Sequence, residues 1–186
     1  MRRYVLTGAP GAGKTTLADA LRRRGWEVVG EAATDVIAAQ QARGVAEPWR
    51  DAGFLDAVAR LQRQRREAYG TRGLVQVHDR SPLCTLALAR YLGRQPGRVL
   101  TDEVVRVLRD GAYQRQVFLV RPLGFVTPTA ARRISYADSL EFARVHEQIY
   151  RAHGCELIVV PAAPVHVRVA LVEAHLRRLA GPRIPR

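Results

Sequence analysis

The sequence predicts an α/β fold, a three-layer α/β/α sandwich whose mainly parallel sheet has about five strands. Two observations predict it. Short apolar runs of strand length alternate along the chain with longer segments of helical periodicity, the pattern of βαβ units with a parallel sheet covered on both faces. The first of these runs also passes straight into a glycine-rich turn that opens a helix. At 186 residues, 47% of them hydrophobic, the chain has the length and apolar content for one core and little room for a second.

Taken in order, Tyr4 to Thr7 reads as the first strand. The turn after it hands over to a helix from about Lys14 to Arg24, capped by Gly25, and Trp26 to Val29 reads as the second strand. Glu31 to Ala42 is helical, with a break near Gly44 and Pro48. Asp51 to Tyr69 makes a long amphipathic helix with Phe54, Leu55, Val58 and Leu61 on its apolar face. Leu74 to Val77 is the third strand and ends at His78-Asp79. Pro82 starts a helix that runs to about Leu92. Thr101 to Leu108 makes another, with Thr101 as N-cap ahead of Asp102 and Glu103. Gln116 to Val120 is the fourth strand, and the stretch from Arg121 to Ala137, with Pro122, Gly124, Pro128 and an arginine pair, lacks clear periodicity. A helix from Ser139 to His153, a fifth strand from Leu157 to Val160 and a helix from Val165 to Leu179 follow. Residues 1–181 thus read as one domain, and 182–186 as a tail expected to fray.

Composition narrows the chemistry. No apolar run approaches the ~20 residues that span a bilayer. Met1 to Thr7 has a charged start but reads as a strand rather than an export signal, so a cytoplasmic protein is expected. Cys84 and Cys155 are far apart without metal-ligand spacing, and both are expected to be reduced and buried. The five histidines form no ligand cluster. The formal net charge of +13 favours anionic partners: nucleotides, phosphorylated substrates, nucleic acid or acidic lipid. A plainly solvated basic surface is an equal reading, and GC-rich arginine codons are one source of the bias. Among the 30 basic residues only Lys14 is a lysine, and its position matters.

Gly8-Ala9-Pro10-Gly11-Ala12-Gly13-Lys14-Thr15 satisfies every fixed position of the phosphate-binding pattern G-x-x-x-x-G-K-[ST], and Thr16 continues it. Glycines let backbone N–H groups wrap phosphate oxygens without Cβ clashes. The helix starting near Lys14 adds its dipole, Lys14 reaches the β- and γ-phosphates, and Thr15 offers its hydroxyl to Mg²⁺. The loop follows a strand and opens a helix, as a P-loop must, so an ATP-Mg²⁺ site is expected.

Other candidates stand at strand ends. Asp79 closes the third strand, where a Mg²⁺-organising carboxylate belongs; the alternative is a cap for the helix at Pro82, a role Ser81 fills equally well. Glu31 follows the second strand and can orient an acceptor hydroxyl or take its proton, with Asp35 one turn on as its competitor. Arg80 is a further candidate for a phosphate contact. Arg132 and Arg133 lie in the irregular segment, taken as a lid over about 121–137, and can neutralise charge during transfer; a chance pair in an arginine-rich chain is the alternative. Pro161 to Pro164 either borders a nucleotide base or is a plain turn.

The sequence also excludes. It contains no asparagine, so the N-K-x-D guanine-reading motif is absent, and Asp79-Arg80-Ser81-Pro82 lacks the glycine of a D-x-x-G switch. A Ras-like switch is disfavoured. The chain is too short for an AAA+ motor with its helical lid domain unless a partner supplies the missing parts.

Val5 to Thr16, Glu31-Ala32-Ala33 and His78-Asp79-Arg80-Ser81-Pro82, with the closing helix-Gly154-strand-helix pattern, together resemble a family of small AAA-type, kinase-like P-loop NTPases. That family includes the ribosylnicotinamide kinase domain of bacterial NAD-biosynthesis regulators. Asp79-Arg80-Ser81 is also similar to the acid-arginine motif of thymidylate and deoxynucleoside kinases. The resemblance implies phosphoryl-site roles for Asp79 and Arg80, a hydroxyl-handling role for Glu31, and a lid with arginines matching Arg132 and Arg133.

The expected activity is therefore Mg²⁺-ATP-dependent phosphoryl transfer to a small hydroxylated, nucleoside-like acceptor. Two alternatives stand behind it. One is a kinase of polynucleotide 5′-hydroxyls, motivated by the +13 charge but lacking a visible aromatic-plus-basic reading surface. The other is a non-catalytic nucleotide-dependent module binding a partner or anionic lipid. No feature of the sequence specifies the acceptor or the oligomeric state.

Overall fold

The parallel sheet grows outward from the first strand. In the computed structural model, which describes residues 1–68, 74–124 and 135–180, the strands are β1 (Arg2–Thr7), β2 (Glu27–Val29), β3 (Val75–Asp79), β4 (Gln116–Val120) and β5 (Glu156–Val160). They run in the order β2-β3-β1-β4-β5, and every pairing is parallel. The helices are α1 (Lys14–Arg23), α2 (Ala32–Gln41), α3 (Phe54–Ala68), α4 (Pro82–Tyr91), α5 (Arg98–Arg109), α6 (Tyr136–Ala152) and α7 (Val165–Ala180).

Side-chain alternation along β1 assigns the two faces. Tyr4 and Leu6 bury against Leu17 and Leu21 of α1 and Val172 and Leu176 of α7. Val5 points the other way, towards Phe54 and Leu55 of α3, Leu83 of α4 and Phe142 of α6. Strands covered on both faces favour apolar side chains, as in Tyr4–Leu6 of β1 and Val117–Val120 of β4. Among the described residues no helix is long and apolar enough to cross a membrane.

Both outer strands leave an open edge. At β2 that edge is covered by arginines: Arg22 of α1 donates to the Val28 carbonyl at 3.4 Å, and Arg65 of α3 donates to the carbonyls of Gly30 at 2.9 Å and Glu31 at 2.6 Å. Guanidinium groups placed on spare carbonyls block pairing by another strand.

The differences from the sequence reading are at helix ends. Thr101 is not the N-cap of α5, which begins three residues earlier at Arg98. Its cap comes from another helix: the Asp56 carboxylate of α3 accepts from the Leu100 N–H at 3.0 Å, and Gly97 leaves room for it. Thr101 instead donates to the Gly97 carbonyl. α3 starts at Phe54 rather than Asp51, because the Asp51 carboxylate accepts from the Gly53 N–H and holds a turn there. α6 starts at Tyr136 rather than Ser139, capped by Ser135, whose hydroxyl accepts from the Asp138 N–H. Cys84 is buried and free as expected, whereas Cys155 is free but only half-buried. The tail at 182–186 and much of the segment assigned as a lid lie outside the described residues.

One contact ties the loop after β1 to its neighbour strand. Gly8 has φ +132°, and a Cβ built there would lie 2.4 Å from the Val120 carbonyl oxygen of β4. Any side chain meets both backbone strain and backbone collision. Gly8→Ala is therefore expected to cost at least about 2 kcal/mol of stability. The check is the urea midpoint at constant m-value; an unchanged midpoint would mean that the loop can back away from β4.

Candidate active site

The loop from Gly8 to Gly13 leaves the carboxyl end of the central strand, where parallel α/β sheets bind ligands. Gly13, at φ +76°, occupies the N-cap position of α1 and brings no side chain to it. The first-turn N–H groups, those of Lys14, Thr15 and Thr16, thus lack a side-chain cap, and no acidic residue stands in that turn. A helix start left open in this way is an anion site.

Lys14 is buried, and its Nζ donates to the Ala9 carbonyl at 2.7 Å. Burial and then the nearby Arg80 charge push its pKa down from 10.5 to about 7, against the opposing pull of Asp79 and Glu31. Asp79 reaches the same place through strand register, since Leu6 of β1 stands beside it. Asp79 is 5% exposed, and its Oδ1 has no hydrogen-bond partner. Burial raises its pKa; Lys14 opposes this and Glu31 adds to it. Neither carboxylate nor hydroxyl caps α4: Asp79 makes no cap, and the Ser81 hydroxyl bonds the Tyr150 hydroxyl at 2.6 Å.

Arg80 has φ +78°, the one positive φ outside glycine among the described residues. Its N–H donates to the Leu6 carbonyl at 3.1 Å, which turns the chain back over the end of β1. Backbone strain held in place by its surroundings is characteristic of functional sites. The guanidinium is engaged within the protein on two of its nitrogens: Nε pairs with Glu31, and Nη1 donates to the Gly8 carbonyl at 3.3 Å and meets His146 Nε2 at 3.4 Å. Arginine only donates and the Phe142 carbonyl, 2.9 Å from His146 Nδ1, only accepts. The ring proton of His146 is therefore on Nδ1. Burial, then the Arg80 charge, holds the His146 pKa well below 6.5, which keeps this arrangement.

Glu31 also accepts from the Thr34 hydroxyl at 3.1 Å. Burial alone would raise its pKa, but the charges of Arg80 and Lys14 with the hydrogen bonds from Arg80 and Thr34 hold it below the ordinary carboxylate value. Its competitor Asp35 is more exposed and pairs with Arg65. Both acids line a cavity of about 390 Å³ together with Thr15, Thr34, Arg22, Arg65 and Asp79. Glu31 is coupled to the charges of Lys14, Arg80 and Asp79, whereas Asp35 pairs with Arg65.

Of the residues singled out from sequence, the structure brings Lys14, Thr15, Glu31, Asp79 and Arg80 together. The Arg80 guanidinium meets Glu31, Gly8 and His146. Arg132 and Arg133 lie outside the described residues. In the turn after β5 the Pro161 carbonyl accepts from Arg168. Two residues were missed, His146 and Arg168. Nothing local marks His146, whereas a basic residue in the first turn of α7, where acids are favoured, was a readable anomaly.

A five-stranded parallel sheet with its phosphate loop after the central strand and an acid ending the adjacent strand defines a P-loop NTPase domain. The chain belongs to a family of AAA domains, whose family model matches residues 3–168. Its fold is similar to that of the deoxyadenosine kinase from M. mycoides with products dCMP and a flexible dCDP bound, at TM-score 0.58 and 15% identity over 94% of this chain and 98% of that one. It is likewise similar to NadR protein in complex with NAD and AMP-PNP, at TM-score 0.63 and 15% identity, and to NadR protein in complex with NR, at TM-score 0.61 and 15% identity. Those matches cover 100% of this chain but 51% and 53% of NadR, so the chain spans about half of NadR's length. At these identities the likeness is one of fold. No curated protein matches the sequence.

Lys14 allows a direct test of the site's electrostatics, because it is the single lysine. Its folded pKa of about 7 lies below the unfolded 10.5, so between those values the unfolded chain binds more protons and stability rises with pH. Titration of its one set of Nζ-adjacent side-chain NMR signals is expected to show a midpoint near 7. Thermal stability is expected to climb from pH 7 to about 8.5, below the range of thiols and phenols, and to lose that slope in Lys14→Met. A midpoint near the ordinary lysine value would contradict the burial described here.

Proposed function

We propose that this chain is a Mg²⁺-ATP-dependent phosphotransferase that moves the γ-phosphoryl group of ATP to a hydroxyl of a small, nucleoside-like acceptor. The observation that carries the reading is that Thr15, Asp79 and Glu31 line a single cavity, with the charge of Lys14 coupled to both acids. In this reading the open N–H groups of α1 and the Lys14 ammonium hold the phosphates. The Thr15 hydroxyl and the orphaned, buried Asp79 oxygen are hard oxygen donors that suit Mg²⁺. Bound there, the ion supplies charge neutralisation for phosphoryl transfer.

Glu31, steered by Arg80 and Thr34, accepts a hydrogen bond from the acceptor hydroxyl and aims it in line. A carboxylate whose pKa is held down is a poor proton sink, so Glu31 contributes mainly orientation, as phosphoryl transfer through a loose transition state requires. Arg132 and Arg133 enter this reading as lid cations on the strength of sequence. The nucleotide and dinucleotide complexes of the deoxyadenosine kinase and NadR folds support a nucleoside-like acceptor.

The test is ADP release from Mg²⁺-ATP by the purified protein against a panel of nucleosides and small hydroxylated metabolites. One acceptor class is expected to raise turnover well above the ATP-only rate. Lys14→Ala is expected to abolish that increment, and Glu31→Gln to lower kcat by about 10²-fold with little change in the KM for ATP. A panel without stimulation would sink the small-molecule reading. Phosphorylation of an oligonucleotide 5′-hydroxyl would then identify the polynucleotide alternative.

A further inference from the structure

Arg168 is the most deeply buried arginine that has no acid beside it. It is 3% exposed, and its guanidinium donates to three backbone carbonyls: Nη1 to Ala12 at 2.7 Å, Nη2 to Arg121 at 2.7 Å, and Nε to Pro161 at 3.0 Å. These belong to the loop after β1, the segment after β4 and the turn after β5, so one side chain joins three loops at the carboxyl edge of the sheet. Among the described residues no carboxylate lies within ion-pair distance of it, and the stretch 125–134 contains no Asp or Glu. Among the described residues the other largely buried arginines of this region are paired, Arg66 with Glu103 and Arg80 with Glu31. Arg168 also stands in the first turn of α7, at the end of the helix dipole that repels a cation. Placement there works against α7, so its rationale lies in what the guanidinium touches.

The Ala12 carbonyl belongs to the same peptide unit as the Gly13 N–H. A cation donating to that oxygen draws electron density through the amide and makes its N–H a stronger donor. Gly13 N–H has no acceptor among the described residues, and a Cβ on Gly13 would lie 3.0 Å from Arg168 Nη1, so the guanidinium lies directly behind this stretch of loop. We propose that Arg168 is a positioning residue of the phosphate site: from behind the loop it fixes and polarises the Ala12–Gly13 peptide so that its N–H binds the terminal phosphates of a nucleotide. The inference rests on the nucleotide-binding reading given above and extends it to a residue 154 positions away from Lys14 (168 minus 14).

The experiment is competition of ADP, inorganic pyrophosphate, AMP and adenosine against a fluorescent ADP analogue, for the unaltered protein, Arg168→Gln and Arg168→Lys. Both variants are expected to bind ADP and pyrophosphate about tenfold more weakly, Lys less severely than Gln, with AMP and adenosine changed less than about twofold. A loss spread evenly over all four compounds, or no loss, overturns the proposal, because a staple that only stabilises the fold does not count phosphates. If Arg168→Gln does not fold, Arg168→Lys gives the same comparison, since an ammonium cannot reach three carbonyls as the planar fork does. Failure of the unaltered protein to bind ADP and pyrophosphate overturns the nucleotide reading and this proposal with it. Tight binding by all three proteins overturns this proposal alone.

Discussion

The parallel pairing of β1 between β3 and β4 is the constraint from which the site follows. Because Leu6 stands beside Asp79 on one side and Phe118 on the other, three strand ends arrive at the same level. The loop after β1 must then turn within reach of β4, and at Gly8 it comes so close to the Val120 carbonyl that no side chain fits. On the other side β3 ends too near β1 to continue straight, and Arg80 turns away with a positive φ and a hydrogen bond back to Leu6. Glu31 joins from the end of β2, one strand further out.

Close convergence in a poorly hydrated corner couples the charges. Lys14, Arg80, Glu31 and Asp79 balance to zero formally, yet they are not equally satisfied. Arg80 and Glu31 hold each other, and His146 and the Gly8 carbonyl take further bonds from the guanidinium. Lys14 has a neutral carbonyl for its partner, and one oxygen of Asp79 has none. Desolvation of ions is expensive when it is not repaid by partners. Asp79, with its orphaned oxygen, lines the cavity, whereas the well-paired buried ion pair, Arg66 with Glu103, does not.

How much of this was legible in the sequence depended on the range of the interaction. The loop from Gly8 to Thr15 is a local pattern, and its chemistry is in its spacing. Asp79 and Glu31 were readable because both sit at strand ends, and parallel strands bring those ends together. Helix α5 was misplaced because its cap is Asp56 of another helix, and it begins three residues before the apparent local cap at Thr101. His146 looks in sequence like any polar residue on a helix; only the tertiary position of Arg80 gives it a task. Cys155 was expected in the core, but it opens a strand at the sheet's outer edge, where cover is partial.

The arginines that cover the open edge of β2 have one more consequence. They form one part of the cavity lining, and the strand ends at Val28 and Asp79 form another. The strand-end wall is hard, fixed by sheet geometry. The other is soft, built from long side chains of α1 and α3 whose rotamers set its width. A chamber made in this way separates two tasks between two materials: substitutions on α1, α2 and α3 can reshape what the soft wall admits while the hard wall, and the chemistry attached to it, stays where the strands put it.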